Sequence, residues 1–184
     1  MPSKIEGTLS SEPNDEPVPD STTHTVDEQS MKRVASLFSA GVTVVTTYYS
    51  EGLHGLTLNA FMVVSLDPPL LLISIDSLTR STEYIGASSA FAVSLLNDRQ
   101  EFLSERFAGR APLVNQRFDG VPHHIEVTGA PVIEGSLGWF DCRVEQTFTA
   151  GDHTLFIGRV VALGEGPIEN ALAYFHRRYH SLEP

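Results

Sequence analysis

The fold is decided by the stretch GVTVVTTYYSEGLHGLTLNAFMVVS, residues 41–65. Its first part, GVTVVTTYY, consists mostly of β-branched and aromatic residues, which favour extended strands. Glu51 and Gly52 form a predicted turn, and LHGLTLNAFMVVS (53–65) then repeats apolar residues at every second position, as a half-buried strand does. The sequence therefore predicts a β-hairpin with this turn at its tip.

Further strands follow on the C-terminal side of this hairpin. LLLISID (70–76) and AFAVSLL (90–96) are short and apolar, whereas LGWFDCRVEQTF (137–148) and HTLFIGRVVAL (153–163) are long and are joined by the turn TAGD. We therefore predict a second hairpin late in the chain.

The helices predicted between these strands are short. One begins at Asp27 as N-cap, presents Met31, Val34, Ala35 and Phe38 on one face, and ends at Gly41. Another runs from about Asp98 to Phe107, and EYIGA (83–87) forms a third. Because a parallel sheet needs a crossover at each connection, this pattern favours a mainly β fold: an antiparallel, closed or nearly closed β-barrel with short peripheral helices.

Length and composition predict one globular domain preceded by a tail. The chain has 184 residues, of which 41% are hydrophobic and 19% charged, and these values exclude a wholly disordered or fibrous protein. Residues 1–26 hold four prolines and no aromatic residue, so we expect a disordered acidic tail there and a folded domain over 27–184.

The charge and the cysteine content restrict partners and compartment. The formal net charge is −11 with no basic cluster in sequence, so nucleic acid and anionic lipid are not expected partners. We find neither a signal peptide nor an apolar run of about 18 residues, the length of a membrane span. The single cysteine, Cys142, cannot form a disulfide within the chain, which favours a reducing, cytoplasmic location.

Alternation places Thr57 and Asn59 on one face of the second strand, opposite the apolar face that holds Leu58, Met62 and Val64. Their hydroxyl and amide are about 7 Å apart along a strand, which matches the polar edge of a flat heterocycle. An ordinary solvent-facing polar surface is the alternative interpretation of the same pattern.

A second polar cluster, SLTRST (77–82), lies between the strand 70–76 and the helix that follows. Hydroxyls and free amides at a helix start bind anions, and Arg80 adds positive charge, so a phosphate could bind there. Alternatively, Thr79 or Ser81 only caps the helix. The two strands are consecutive, so one phosphorylated ring could contact both clusters.

Common catalytic motifs are absent from this sequence. We find no P-loop, GxGxxG, GxSxG, CxxC or HExxH pattern. Cys142 is in phase with apolar neighbours and is predicted to be a buried core thiol. His176 and His180 would share one face of a helix, but no acidic or cysteine ligand is near them, so no metal site is predicted.

Six short motifs, in this order, carry a family resemblance. They are HGLTLNAFMVVSLDPPLLL (54–72), RFAGR (106–110), RFDG (117–120), GAPVI (129–133), WFDCRVEQ (139–146) and GDHTLFIGRVV (151–161). Over residues 31–180 the chain resembles the flavin reductase family with the FMN-binding split-barrel fold, which includes reductase components of two-component flavin-dependent monooxygenases.

This resemblance implies an antiparallel split barrel and a set of ligand contacts. Along the isoalloxazine ring it places Thr57, Leu58, Asn59 and Ala60, and His153 of the GDH turn would lie near the nicotinamide as the catalytic residue. The segment 76–82 would hold the ribityl and phosphate end. The remaining residues assigned to cofactor binding are Ser65, Asp76, Ser77, Arg80, Ser81, Thr82, Phe107, Arg110, His176, Arg178 and Tyr179.

The chain departs from the family pattern at several positions. Ala60 and Val63 stand where relatives often have serine, and FHRRYH (175–180) lacks the glycine of the similar YHRGRY segment.

The implied activity is NAD(P)H:flavin oxidoreductase, in a homodimer that supplies reduced flavin to a separate oxygenase. The sequence leaves open FMN or FAD as flavin and NADH or NADPH as donor. Two other functions remain as alternatives: a split-barrel flavin oxidase or user of another donor, and a flavin-binding protein or electron carrier without a nicotinamide site.

Overall fold

A computed structural model describes residues 26–50, 52–110 and 118–184, and all structural statements below concern these residues. The predicted tail apart from Val26, and Glu51 of the predicted turn, lie outside them. The helices are α1 (Glu28–Ala35), α2 (Arg80–Ser88) and α3 (Glu101–Phe107). The strands are β1 (Ala40–Gly41), β2 (Thr43–Tyr49), β3 (Gly52–Leu58), β4 (Phe61–Leu66), β5 (Pro69–Asp76), β6 (Ala90–Leu95), β7 (His123–Ile125), β8 (Pro131–Ile133), β9 (Gly138–Ala150), β10 (His153–Glu165), β11 (Ala171–Phe175) and β12 (Arg178–Leu182).

Seven strands form the main sheet in the order β3-β2-β6-β9-β10-β5-β4, and every neighbouring pair is antiparallel. The edge strands β3 and β4 are nevertheless consecutive in sequence and are separated only by Asn59 and Ala60. A linker this short spans no more than about 11 Å from strand end to strand start. The sheet therefore curls until its two edges approach each other, which gives the predicted split barrel.

The prediction of a single strand over 53–65 is wrong, because this segment forms two strands, β3 and β4. At Asn59 and Ala60 the chain leaves its partner β2 and begins to pair with β5, so the alternation changes phase. Phe61 consequently packs against the core, and Met62 and Val64, predicted to face it, are exposed.

Both predicted hairpins have the expected form where they are described. β2 pairs with β3, and β9 pairs with β10 around a tight turn in which Gly151 has φ +62°, a conformation that glycine adopts at little cost. A third hairpin joins β11 to β12 through His176 and Arg177, whose φ angles are also positive. His176 and His180 thus belong to a hairpin, and the helical spacing considered for them is wrong.

Helix ends differ in part from the sequence prediction. Asp27 is the N-cap of α1, as predicted, and accepts a hydrogen bond from the amide of Ser30 at 2.6 Å. The helix ends at Ala35 and not at Gly41, because the chain must turn there for β1 to pair with β11. The carbonyl of Ser36 accepts a hydrogen bond from the amide of His176, which fixes the end of α1 on the C-terminal hairpin.

The predicted helix start at Asp98 is also shifted. Asn97 caps a short 3₁₀ turn over Asp98–Gln100 and forms a capping box with Gln100, and α3 follows directly.

Three apolar clusters form the core of the described residues. The largest lies inside the curled sheet and includes Ile73, Phe91 and Phe156, and Cys142 is fully buried within it, as predicted. The second packs α3 and the C-terminal hairpin onto the outside of β2 through Phe107 and Leu172. The third is small and is centred on Ala130 and Val132.

Candidate functional site

A cavity of about 150 Å³ opens where β3 ends, between α3 and the C-terminal hairpin. Five of the sequence-predicted site residues line it: Thr57, Leu58, Asn59, Arg110 and Tyr179. They come from three segments that are far apart in sequence, and the packing of α3 and β12 against β3 brings them together. Val42, Ser104, Ala108 and Tyr174 complete the lining.

The hydroxyl of Thr57 is already engaged as a donor. It donates to the carbonyl oxygen of Ser104 at 2.5 Å, which also attaches α3 to β3. A threonine hydroxyl has one hydrogen but two lone pairs, so Thr57 remains available as an acceptor. The side chain of Asn59 is exposed and carries both a donor and an acceptor. Thr57 and Asn59 can therefore form hydrogen bonds with a ring edge on which N–H and C=O groups alternate.

The other wall of the cavity is a hydrogen-bonded network around Glu105. The hydroxyl of Tyr179 donates to Glu105 at 2.8 Å and lies 2.9 Å from the hydroxyl of Ser104. Burial above all raises the pKa of Tyr179, so its phenol stays protonated at neutral pH. Glu105 also accepts from Arg110 at 3.3 Å, and its charge fixes both side chains at the wall.

Two neighbours of Arg110 further favour its positive charge. The pKa of this guanidinium is raised mainly by a side-chain hydrogen bond with Tyr174. The negative charge of Glu105 is the second cause. Sequence reasoning missed Glu105, although it immediately precedes the RFAGR motif, because its role depends on β12, which is far away in sequence.

A second cavity of about 400 Å³ adjoins the first, with which it shares Asn59, Arg110 and Tyr174. Its remaining lining comes from α1, the segment that follows it, and the turn between β11 and β12: Lys32, Ala35, Ser36, Phe38 and Arg177.

The crossing between β3 and β4 connects these cavities to the predicted phosphate segment. The carbonyl of Ala60 accepts a hydrogen bond from the amide of Ser74 at 3.1 Å, two residues before Asp76 at the end of β5. Asp76 is in turn the cross-strand partner of His153 on β10. The linker Asn59–Ala60, the segment 76–82 and the GDH turn therefore follow one another along the same rim of the barrel.

Several polar groups of the segment 76–82 are already bonded within the protein. The carboxylate of Asp76 accepts from the amide of Leu78 at 2.8 Å, and its carbonyl accepts from the hydroxyl of Thr82 at 2.9 Å. The hydroxyl of Ser77 lies 2.9 Å from that of Thr154. Thr79 occupies the N-cap position of α2 but its side chain makes no capping bond, so the simple capping interpretation is wrong for this residue.

His153 begins β10, and its imidazole is partly exposed at the rim. Its Nδ1 lies 2.7 Å from a carboxylate oxygen of Asp152, and this hydrogen bond is the main reason that the pKa of Asp152 is lowered. The carboxylate therefore favours a proton on Nδ1, which fixes the orientation of the ring and leaves Nε2 for another partner.

Two other predicted site residues, Ser81 and Phe107, are buried and line neither cavity. Ser81 is only 4% exposed and its hydroxyl lies 2.8 Å from Nε2 of His54. Phe107 is 2% exposed, and its ring packs against Phe118 in the core. Neither side chain lines either of the two cavities, because α2 and α3 turn these positions inward.

The remaining predicted residues have exposed or peripheral positions. Ser65 lies on the edge strand β4, Arg80 is the first residue of α2, His176 is in the β11–β12 turn, and Arg178 is exposed at the start of β12. None of the four lines either of the two cavities.

Two negative findings apply to the described part of the chain. It contains no cluster of three or more histidine, cysteine, aspartate or glutamate side chains with the geometry of a metal site. Nor does any of its helices have the length and apolar character needed to cross a membrane.

Fold and cavities together define a split-barrel protein with two adjoining cavities of mixed apolar and polar lining where β3 ends. Residues 34–183 match the model of the flavin reductase like domain, so the chain belongs to this family, as its motifs predicted.

Characterised relatives match over most of their length. The reductase subunit HsaB of a flavin-dependent monooxygenase of Mycobacterium tuberculosis is 33% identical over 161 residues, which are 86% of this chain and 84% of HsaB. The NADH-dependent flavin reductase StyB of Pseudomonas fluorescens is 35% identical over 84% of this chain and 90% of its own. The solved structure of the NADH:FAD oxidoreductase SgcE6 of Streptomyces globisporus has a TM-score of 0.79 and 34% identity, covering 88% of this chain and 98% of SgcE6.

Proposed function

We propose that this protein is an NADH-dependent flavin reductase. The observation that carries the proposal is the convergence of Thr57, Leu58, Asn59, Arg110 and Tyr179 on one cavity, in a chain of the flavin reductase like family. When both are bound, the reduced nicotinamide supplies a hydride from its C4 and the flavin accepts it at N5. The protein's part is to bind, orient and shield the two rings.

The residues at the cavity suit the pyrimidine edge of a flavin, where one N–H lies between two carbonyl groups. Thr57 can accept from the N–H because its own proton is given to Ser104. The amide of Asn59 can donate to a carbonyl, and Arg110, which stays cationic, favours the negative charge that develops on a reduced flavin. The two adjoining cavities together reach the size range of small-molecule sites.

The roles of the other site residues follow from their positions. Asp76, Ser77, Arg80 and Thr82 would border the ribityl and phosphate end. Several of their oxygens are bonded internally, and so are the amides of Ser77, Leu78, Thr79 and Thr82, so Arg80 would carry most of that contact. His153 would bind at the nicotinamide through Nε2 while Asp152 orients its ring. No step in this assignment needs a nucleophile or a metal ion.

A flavin-binding protein or electron carrier without a nicotinamide site is the second candidate. The partly exposed His153, oriented by Asp152 at the rim, favours the reductase, because a carrier has no need of an ordered polar group beside the flavin.

Two kinds of partner follow from the proposal. HsaB is by its name the reductase subunit of a monooxygenase, and we infer that this protein likewise delivers reduced flavin to a separate oxygenase. We also infer a homodimer, because α1 and β4 leave Met31, Val34 and Met62 at least half exposed, and apolar surface of this extent is usually covered by a partner. A cytoplasmic location agrees with the reduced thiol of Cys142 and with the supply of NADH.

Stopped-flow spectroscopy tests the proposed function directly. Purified protein with FMN or FAD is mixed anaerobically with NADH or NADPH, and flavin absorbance near 450 nm should bleach far faster than in a mixture without protein. Flavin binding without bleaching by either donor would establish the carrier instead. Bleaching only by a donor other than NADH and NADPH would indicate the remaining alternative, a flavin oxidase or an enzyme that uses another donor. An Asn59→Ala variant, mixed with the same donors at equal flavin occupancy, is the matched sample with which the bleaching rate of the unchanged protein is compared.

A further inference from the structure

The carboxylate of Glu105 contacts two residues that line the first cavity but does not line that cavity itself. Its Oε1 accepts a hydrogen bond from the hydroxyl of Tyr179 at 2.8 Å and another from the guanidinium of Arg110 at 3.3 Å. Among the described residues that line the first cavity, Arg110 alone carries a charge. The proposed function gives Arg110 and Tyr179 to the ligand and leaves Glu105 without a role.

The contact with Glu105 sets the direction of the hydrogen bonds in this wall. A tyrosine hydroxyl has one hydrogen, and Tyr179 donates it to Glu105. The hydroxyl of Ser104, 2.9 Å away, must then donate to Tyr179. A glutamine at position 105 would offer the same acceptor oxygen to Tyr179. This direction therefore requires an acceptor at position 105 and does not require a charge.

The charge of Glu105 acts on Arg110. The side chains of Arg110 and Glu105 are 59% and 33% exposed, so water screens their interaction without cancelling it. As an ion pair the two groups have no net charge, and the hydrogen bond holds the guanidinium at the wall. A neutral pair attracts an anion in the cavity less than an unpaired guanidinium would. Glu105 therefore weakens the attraction between Arg110 and a negatively charged ligand.

That attraction differs between the two redox forms of a flavin. In the proposed function the pyrimidine edge of the ring faces Thr57, Asn59 and Arg110. This ring is neutral in oxidised flavin and carries negative charge in reduced flavin, so an unpaired guanidinium would bind the reduced form more tightly. A protein that delivers reduced flavin to a separate oxygenase has to release that form. Partial neutralisation of Arg110 favours this release.

We propose that Glu105 is a positioning residue which, by pairing with Arg110, lowers the preference of the site for reduced over oxidised flavin and so promotes release of the product. The proposal rests on the proposed function, because it requires a flavin in the first cavity. Glu105 does not touch the ligand in this assignment. It sets the relative affinity of the protein for the two redox forms.

Glu105→Gln tests the role of the charge, because it removes the charge and keeps an acceptor for Tyr179. Anaerobic titration of the full chain gives dissociation constants for oxidised FMN and for photochemically reduced FMN, with FAD in parallel. At low ionic strength the affinity for reduced relative to oxidised flavin should rise about three- to tenfold in the variant. Through the thermodynamic cycle this corresponds to a midpoint potential of the bound flavin that is about 15–30 mV higher, measured separately against a reference dye.

Matched variants separate this effect from a general disturbance of the wall. Glu105→Asp keeps the charge and should restore the affinity ratio of the unchanged protein. Glu169→Gln removes a carboxylate that pairs with Arg99 at 3.0 Å beside a different cavity, and it should leave the ratio unchanged. In a protein that already carries Arg110→Gln, the further change Glu105→Gln should have less than half of its effect. The effect should also shrink in about 1 M salt, which screens partly exposed charges.

The outcomes distinguish this inference from the proposed function. An unchanged affinity ratio in Glu105→Gln, or an equal loss of affinity for both redox forms, would overturn the role of Glu105 while bleaching by NADH still supports the reductase. An equal effect with and without Arg110 would overturn it as well, because the carboxylate would then act on the flavin directly. The expected ratio in a protein whose flavin neither NADH nor NADPH reduces would contradict the proposed function and leave the role of Glu105 established. Absence of flavin binding would overturn both.

Discussion

His153 and Asp76 lie directly opposite each other in the antiparallel pair formed by β10 and β5. Residues in such a pair have Cβ atoms about 5 Å apart. The amide of Ser77 also donates to the carbonyl of Asp152 at 2.9 Å, so the GDH turn and the start of the segment 76–82 are attached to each other. The proposed nicotinamide contact and the proposed ribityl–phosphate contact are therefore held at a fixed distance on the barrel rim.

Replacing His153 with alanine should impair the nicotinamide half of the reaction and leave flavin affinity unchanged. A positioning hydrogen bond of about 1–3 kcal/mol corresponds to a roughly five- to 150-fold loss in kcat/KM for NADH. Steady-state kinetics and a flavin fluorescence titration give the two quantities. His124→Ala is the control, since His124 also faces a carboxylate, that of Glu126 at 3.3 Å, but lies on β7. Wild-type kinetics in the His153 variant would mean that the nicotinamide binds elsewhere on the protein.

Asn59→Ala should weaken flavin binding without affecting the fold, because Asn59 is exposed in the linker between β3 and β4. Loss of one hydrogen-bond partner costs about 0.5–1.5 kcal/mol, which is roughly a two- to tenfold increase in the dissociation constant. Fluorescence titration measures this increase, and thermal unfolding should give an unchanged Tm. An unchanged dissociation constant would mean that this side chain belongs to ordinary solvent-facing surface.

Thr57→Val should differ from Asn59→Ala, because Thr57 has a structural bond as well. It loses the hydrogen bond to the carbonyl of Ser104, which links β3 to α3, so the free energy of unfolding should fall by about 1 kcal/mol in addition to any loss of flavin affinity. Thr57→Ser retains the hydroxyl and should restore most of both properties. Urea unfolding with and without flavin separates the two effects. Equal affinity in the valine and serine variants would exclude the hydroxyl as a flavin acceptor.

Gly158→Ala should destabilise the barrel core. A Cβ atom at this position would lie 2.4 Å from the ring of Phe91 and 3.0 Å from the Cβ of Cys142, both of which are fully buried. Overpacking of this kind costs about 1–3 kcal/mol. Urea denaturation should show a lower midpoint, and the smaller side chain of Phe91→Leu should offset part of the loss in the double variant. Purely additive losses in the double variant would contradict steric conflict with Phe91.

The thiol of Cys142 should be inert in the native protein. Burial, followed by the charge of Asp141, raises the pKa of this thiol far above its ordinary value, so almost no thiolate exists at pH 8. Labelling with a chromogenic disulfide reagent should therefore be at least about 100-fold slower than in urea-unfolded protein, where the pKa returns to about 8.5. Fast labelling under native conditions would show that the core opens readily around β9.

Sedimentation equilibrium tests the inferred homodimer, for which a particle of twice the 20.1 kDa chain is expected. Val34→Glu places a charge on the exposed apolar face of α1 and should shift the equilibrium toward monomer. Leu182→Glu, at a half-exposed position near the end of β12, is the control. A monomer with full flavin affinity would contradict the inference.

The local pattern of residues was sufficient to predict β2, β5, β6, β9 and β10, two hairpins, the N-cap at Asp27 and the buried Cys142, because these depend on neighbours within a few positions. The motifs were sufficient for the family. The errors occurred where a distant element determines the local structure. The break at Asn59 and Ala60 results from pairing with β5, and α1 ends at Ala35 because β1 pairs with β11.

For the candidate site, the sequence by itself determined which residues were candidates, and only the tertiary structure decided which of them face the cavities. Thr57 and Tyr179 are 122 positions apart and meet because α3 is packed between β3 and β12. Ser81 and Phe107 satisfy the same motifs but turn inward. Glu105 carries no local signal, because its role arises from contacts with Tyr179 and Arg110 across the fold, and charge–charge distances of this kind are fixed by packing and not by spacing along the chain.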